Sequence, residues 1–149
     1  MTVVALTGTA GFADVYTVTP GIDGGSGVAT ENINGTGVGV INFTGIETIT
    51  VNGGGGIGSD AITVNGTSAD NAISLVGTGP AAATIHVDNG PAINVSAFGS
   101  TGGAATFVLN ALGGNDVISV TPGTLGVTLD ITVSGGDPTA SDKLVVTGT

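Results

Sequence analysis

Asp116-Val117-Ile118-Ser119-Val120-Thr121-Pro122-Gly123 repeats Asp14-Val15-Tyr16-Thr17-Val18-Thr19-Pro20-Gly21 at six of eight positions. Asp60-Ala61-Ile62-Thr63-Val64-Asn65-Gly66-Thr67 and Asp142-Lys143-Leu144-Val145-Val146-Thr147-Gly148-Thr149 have the same form. Asp70-Asn71-Ala72-Ile73-Ser74-Leu75 is a looser copy, shifted by one residue. The shared pattern is Asp, any residue, apolar, Thr/Ser/Val, Val, then a glycine turn. Apolar residues two apart mark an extended strand with one face buried and the other lined by Thr, Ser and Asn. The reading therefore places Ile62, Val64, Ile118, Val120, Leu144 and Val146 inside, and Ala61, Thr63, Val117, Ser119, Lys143 and Val145 outside.

Outward from these units the pattern continues. Thr48-Ile49-Thr50-Val51-Asn52 corresponds to Thr106-Phe107-Val108-Leu109-Asn110, and each is followed by glycines and then by Asp60 or Asp116. The order is strand, glycine-rich turn, Asp, strand. Strands are expected at 3–6, 14–19, 38–43, 47–52, 61–65, 72–76, 84–88, 92–97, 106–110, 117–121, 127–134 and 143–147. Residues 20–37 are the least regular and read as a long loop or a poorly formed rung. No helix is expected: 29 Gly, 19 Val, 12 Ile and 23 Thr are poor helix formers that suit short strands and tight turns.

Gly66-Thr67 lies 58 residues after Gly8-Thr9 and 82 before Gly148-Thr149. The difference, 24 residues, is one strand, one glycine turn and one Asp unit, the increment by which a solenoid grows. The expected fold is all-β, a parallel β-solenoid or β-helix with rungs of about 24 residues; β-sandwich domains are the alternative. Residues 1–149 read as a single repeat domain with loose modules 8–65 and 66–147. The chain ends on Gly148-Thr149, a similar junction lies at Gly8-Thr9, and such ends look like cuts through a longer array.

Charge excludes whole classes of partner. The chain has 11 acidic residues, one Lys (Lys143), one His (His86) and a net charge of −10. Nucleic-acid backbones and anionic membrane surfaces demand clustered Lys and Arg, so neither is an expected partner. No apolar run reaches the roughly 18 residues of a membrane span. Cysteine is absent, which removes disulfide and thiol chemistry.

Gly55-Gly56-Ile57-Gly58-Ser59-Asp60-Ala61-Ile62-Thr63 fits the nonapeptide Gly-Gly-x-Gly-x-Asp-x-apolar-x. Gly113-Gly114-Asn115-Asp116-Val117-Ile118 is a shortened copy. Gly135-Gly136-Asp137-Pro138-Thr139-Ala140-Ser141-Asp142-Lys143-Leu144 is a lengthened one. On these residues the chain resembles the RTX calcium-binding β-roll repeats. More broadly it resembles the Gly/Asp/Thr-rich repeat proteins of bacterial surfaces. The resemblance implies Ca²⁺ held by Asp60, Asp116, Asp142 and Asp137 with glycine turns at Gly58, Gly114 and Gly136. Turn carbonyls and carboxylates are the oxygen ligands Ca²⁺ takes. The alternative is that each Asp caps the turn before it through backbone N–H groups. With rungs of about 24 residues, Asp116 and Asp142 fall one rung apart on the same edge.

No catalytic arrangement stands out. His86 occupies a polar position of an alternating strand, in Thr84-Ile85-His86-Val87-Asp88. Sugar clefts built on paired carboxylates use aromatic platforms, and this chain has four Phe and one Tyr. β-Helix lyases rely on basic residues at the site, and this chain has one Lys and no Arg. The expectation is a non-enzymatic structural segment of an extracellular or cell-surface protein: an adhesin stalk, an S-layer component or a filament subunit. Such a segment self-associates end to end or edge to edge. A Ca²⁺-dependent or glycan-binding module is the alternative.

Overall fold

A computed structural model describes residues 1–56, 58–98, 104–126, 129–137 and 141–148. Ile57 of the nonapeptide, the first two residues of the strand expected at 127–134, and Pro138-Thr139-Ala140 lie outside them. In chain order the strands are β1 (Val3–Thr7), β2 (Asp14–Pro20), β3 (Gly27–Ile33), β4 (Thr36–Phe43), β5 (Thr48–Asn52), β6 (Ala61–Asn65), β7 (Ala72–Gly79), β8 (Ala82–Val87), β9 (Ala92–Ser96), β10 (Ala105–Asn110), β11 (Val117–Thr121), β12 (Leu129–Ser134) and β13 (Lys143–Val146). No helix forms among the described residues.

Two mixed sheets result. One has the order β1-β5-β9-β8-β7-β11-β13, the other β12-β10-β6-β2-β3-β4. Equivalent repeat strands stack in parallel and in register, as with β2, β6, β10 and β12. Two three-stranded antiparallel runs break the stacks: β2-β3-β4 in the smaller sheet and β7-β8-β9 in the larger. The fold is therefore all-β with two mixed sheets, an arrangement that fits the sandwich alternative better than one uninterrupted solenoid.

Strand offsets explain the expected 24-residue rung. Val3 pairs with Thr48 and Ala61 with Thr106, offsets of 45 residues; the C-terminal pairs Ala105–Leu129 and Val117–Lys143 are offset by 24 and 26. The short rung thus exists at one end and the rest of the chain repeats at about 45. Gly8 and Gly66, alike in sequence, are not equivalent in the fold. Gly8 follows β1 and stacks on Gly53, whereas Gly66 follows β6 and stacks on Ala111. They are two different corners with the same chemistry.

The irregular stretch 20–37 also departs from expectation. It holds β3 and the start of β4, joined by an Asn34-Gly35 turn in which both residues have positive φ (48° and 77°). Asn-Gly is the pair that a tight two-residue hairpin demands.

Both sheets face one core. Val18, Ile62, Val64, Phe107 and Leu109 of the smaller sheet and Leu6, Ile49, Val51, Ile73, Leu75, Ile85, Ile93 and Ile118 of the larger are all buried. Tyr16, Phe98 and Phe107 stack with ring centroids 5.7 and 5.5 Å apart. The Tyr16 hydroxyl donates to the Asn52 carbonyl, 3.2 Å away, and so ties β2 to β5 across the core. The inward assignment holds for Ile62, Val64, Ile118 and Val120. Leu144 and Val146 are not buried: they are 53% and 63% exposed. They pair in register with Ile118 and Val120, but β13 is the last strand of its sheet and nothing described covers it.

Candidate functional site

The residues singled out by the motif sit at corners where the chain passes from one sheet to the other. A corner glycine ends one strand, and the Asp or Asn opening the next strand lies over it. A Cβ added at Gly8 would stand 2.2 Å from an Asp14 carboxylate oxygen; at Gly53, 2.4 Å from Asp60; at Gly66, 2.5 Å from the Asn71 side-chain oxygen; at Gly135, 2.2 Å from Asp142. Each of these positions requires glycine because the capping side chain fills the space of a side chain. The Asp14 carboxylate takes the Thr9 main-chain N–H at 2.7 Å, and the Asn71 side-chain oxygen takes that of Thr67 at 2.8 Å. These are turn caps.

Successive corners are also linked to each other. The Asp14 N–H donates to Asp60 Oδ1 (3.0 Å), the Asn71 N–H to Asp116 Oδ1 (2.7 Å) and the Asp116 N–H to Asp142 Oδ1 (3.1 Å). The direction is constant: each residue gives its N–H to the carboxylate of the next stacked strand. Two ladders follow, Asp14–Asp60 beside the smaller sheet and Asn71–Asp116–Asp142 beside the larger. The structure brings Asp116 and Asp142 together as expected and puts Asp60 in the other ladder. The apparent one-residue shift at Asp70-Asn71 is resolved too. Asn71 stands at the aspartate position, since Ala72 pairs with Val117.

The motif glycines have a backbone reason. A Cβ would fall 1.7 Å from the Phe12 carbonyl oxygen at Gly58, 2.5 Å from the Ala69 carbonyl carbon at Gly114, and 1.7 Å from the Leu112 carbonyl oxygen at Gly136. Stacked turns pack backbone on backbone there. Asp137 joins the stack through its N–H, which donates to the Leu112 carbonyl at 2.8 Å.

Asp116 has the least ordinary environment. It is 1% exposed, and its Oδ2 is buried with no hydrogen-bond partner. Burial pushes its pKa up from the usual carboxylate value; the Asn71 N–H opposes this, while the charges of Asp142, Asp70 and Asp88 add to it. Asp70 and Asp88 were missed in the sequence as parts of this cluster. Asp88 reaches it from the end of β8 with a positive φ of 52°, its oxygens taking the Ala72 N–H (2.7 Å) and the Asn71 side-chain amide (2.8 Å). Asp70 Oδ1 takes the Asn115 N–H at 2.8 Å. A Val-Asp-Asn-Gly turn is a weak signal, since a positive φ at Asp is invisible without the fold. Among the described residues, no three acidic or histidine side chains form a group that could hold a metal ion. His86 lies on the outer face opposite Ser74. Comparison with protein-family models, curated protein sequences and solved structures found no match.

Proposed function

We propose that the chain is a non-enzymatic structural segment of an extracellular or cell-surface protein, a solenoid-like stack whose partners are further units of the same repeat. One observation carries this reading. The repeats serve each other: the recurrent corner glycines and the Asp or Asn residues supply the corner caps and the links between stacked strands, not a convergent pocket. A second copy of the segment 111–134, inserted after Ser134, tests it. A stack absorbs such a rung because β12 follows β10 at an offset of 24 residues. The longer chain should fold cooperatively and melt at or above the parent temperature. A chain that loses strand content would overturn the stacking. Labelling of intact producing cells with antibody to the chain tests the surface location.

The second reading is a Ca²⁺ site at the Asp116–Asp142 corner, supported by the buried Asp116 Oδ2 beside the Asp142 carboxylate. Calorimetric titration with Ca²⁺, repeated on Asp116→Asn, decides it. Saturable heat that the substitution abolishes would establish the site, and a flat titration would remove it.

A further inference from the structure

The two ends of the stack differ. At the end bounded by β1 and β4, the inward residues Leu6 and Phe43 are 1% and 5% exposed. Glu31 of β3 pairs with Tyr16 and so shares its inward side. It is set against the main-chain N–H of Thr7 and the charge of Asp14. The Gly8 N–H donates to Asn52, so by alternation the Thr7 N–H points away from β5, along the free edge of β1. An inward carboxylate over an edge N–H, together with the register shift between Glu31 and Asn32 opposite β4, blunts this end against further pairing.

Among the described residues, the end bounded by β12 and β13 has no such device. Its inward side chains Leu129, Ile131 and Val133 pair in register with the buried Ala105, Phe107 and Leu109 but are themselves partly uncovered, and Leu144 and Val146 are exposed. Lys143 and Thr147 give their N–H groups to the carbonyls of Asp116 and Val120. The N–H groups of Leu144 and Val146 therefore point outward along the free edge. The corner ladder is open as well. Asn71 and Asp116 each give an N–H to the carboxylate of the next strand, and among the described residues the Asp142 N–H has no such acceptor.

From this asymmetry we propose that the β12–β13 end is a docking surface for one further rung of the same repeat, entering parallel to β13 with the order Asp-x-apolar-x-apolar. The incoming carboxylate takes the Asp142 N–H. Its two apolar residues cover Leu144 and Val146, and its main chain pairs with the β13 edge. The partner's chemistry is read from the ladder: a constant donor direction, a fixed register and an apolar residue at every second position. The stack is consequently polar and grows from one end. This rests on the stacking reading above and goes beyond it by naming the end and the features of the strand that it accepts.

The test appends a second copy of residues 123–148 after Gly148 in the full chain. Hydrogen exchange at the Asp142, Leu144 and Val146 amides should slow by about tenfold or more as they become internal ladder positions. Asp142→Ala confined to the appended copy should restore fast exchange at the Asp142 amide. Leu144→Lys with Val146→Lys in the host strand should restore it at all three. Exchange at parent rates with the copy attached overturns the proposal. So does a dimer of the parent chain, seen by sedimentation and abolished by Leu144→Lys, because the end would then pair with itself. The stacking reading is separately at stake in the internal insertion. An inserted rung that folds beside an appended rung that stays disordered would sink this proposal alone.

Discussion

At the scale of single residues, the corner aspartates are explained by what their oxygens accept, and Asp116 is the one whose account is incomplete. Oδ1 takes the Asn71 N–H, while Oδ2 is buried, unpartnered and near three other carboxylates. A buried acceptor without a donor costs roughly 1–3 kcal/mol. Asp116→Asn keeps the Oδ1 acceptor and sets an NH₂ donor where a fourth charge stood. The variant should be more stable at neutral pH by about 1 kcal/mol, a gain of about 2–4 °C in Tm. The pH dependence has a definite sign. Burial raises the proton affinity of Asp116 and of Glu31 in the folded chain. Folding then takes up protons between the ordinary carboxylate value and the raised one, so stability is highest on the acid side and falls as pH rises through that window. Melting curves across that window should show a smaller fall for Asp116→Asn and a smaller one still with Glu31→Gln added. An unchanged slope would mean that Asp116 is ionised to the same extent folded and unfolded.

The same scale separates two leucine-like positions that the sequence makes equivalent. Ile118 is buried and Leu144, its register partner, is exposed. Ile118→Ala should cost about 2–5 kcal/mol. Leu144→Ala should stay within about 0.5 kcal/mol, the range of surface substitutions. Urea titration of the two variants checks this, and equal losses would place Leu144 in the core.

At the scale of elements, alternation was the legible signal. It located every strand except β3 and assigned the inward face of β6 and β11, because a strand with one buried face writes a period of two into its sequence. Pairing direction was not legible. β8 alternates as clearly as β7, yet it runs antiparallel, since the short turn at 80–81 returns the chain directly instead of carrying it across to the other sheet. The corners were half legible. The Asp and Gly positions stood out, but which corners stack on which depends on the 45-residue offset, and similar chemistry at both ladders disguised it. β3 was hidden by its own composition: Gly27 and polar Thr30, Glu31 and Asn32 dilute the alternation, and Glu31 points inward where an apolar residue is expected. The Asn34-Gly35 turn was the overlooked clue. Its backbone makes a local prediction. Gly35 holds φ of 77° with open space around it, so Gly35→Ala meets no clash and pays in backbone strain, about 1 kcal/mol. Hydrogen exchange should show faster opening of β3 and β4, with β6, β10 and β11 unchanged. Loss of protection throughout would mean that the hairpin is needed to hold the whole stack.

At the scale of the whole molecule, the apolar interior and the charge act against each other. A net charge of −10 resides on 149 residues, with Asp14, Asp60 and Asp116 buried, Glu31 and Asp130 within strands β3 and β12, and the remaining carboxylates around the corners and turns. Self-repulsion of this kind favours the expanded chain, where the charges move apart. The corner bonds offset part of it locally, because each carboxylate that accepts a main-chain N–H is held by a dipole. Such dipoles do not neutralise repulsion over longer distances, and salt does. Screening shortens from about 10 Å in 0.1 M salt to about 3 Å in 1 M, less than the spacing between successive strands. The Tm should therefore rise with NaCl over this range by about 2–4 °C for each kcal/mol of repulsion removed. A chain balanced between acids and bases would gain little, since screening weakens its attractions too. Glu47, which pairs with the N-terminal amine at 3.4 Å, supplies an internal control. Glu47→Gln removes a screened attraction along with a charge, so its melt should respond to salt much as the parent does, whereas Asp130→Asn, on the exposed β12 edge, should respond less. A Tm that falls with added NaCl would show that attractive pairs outweigh repulsion in this fold, and the acidic surface would then need a stabilising role that repulsion cannot supply.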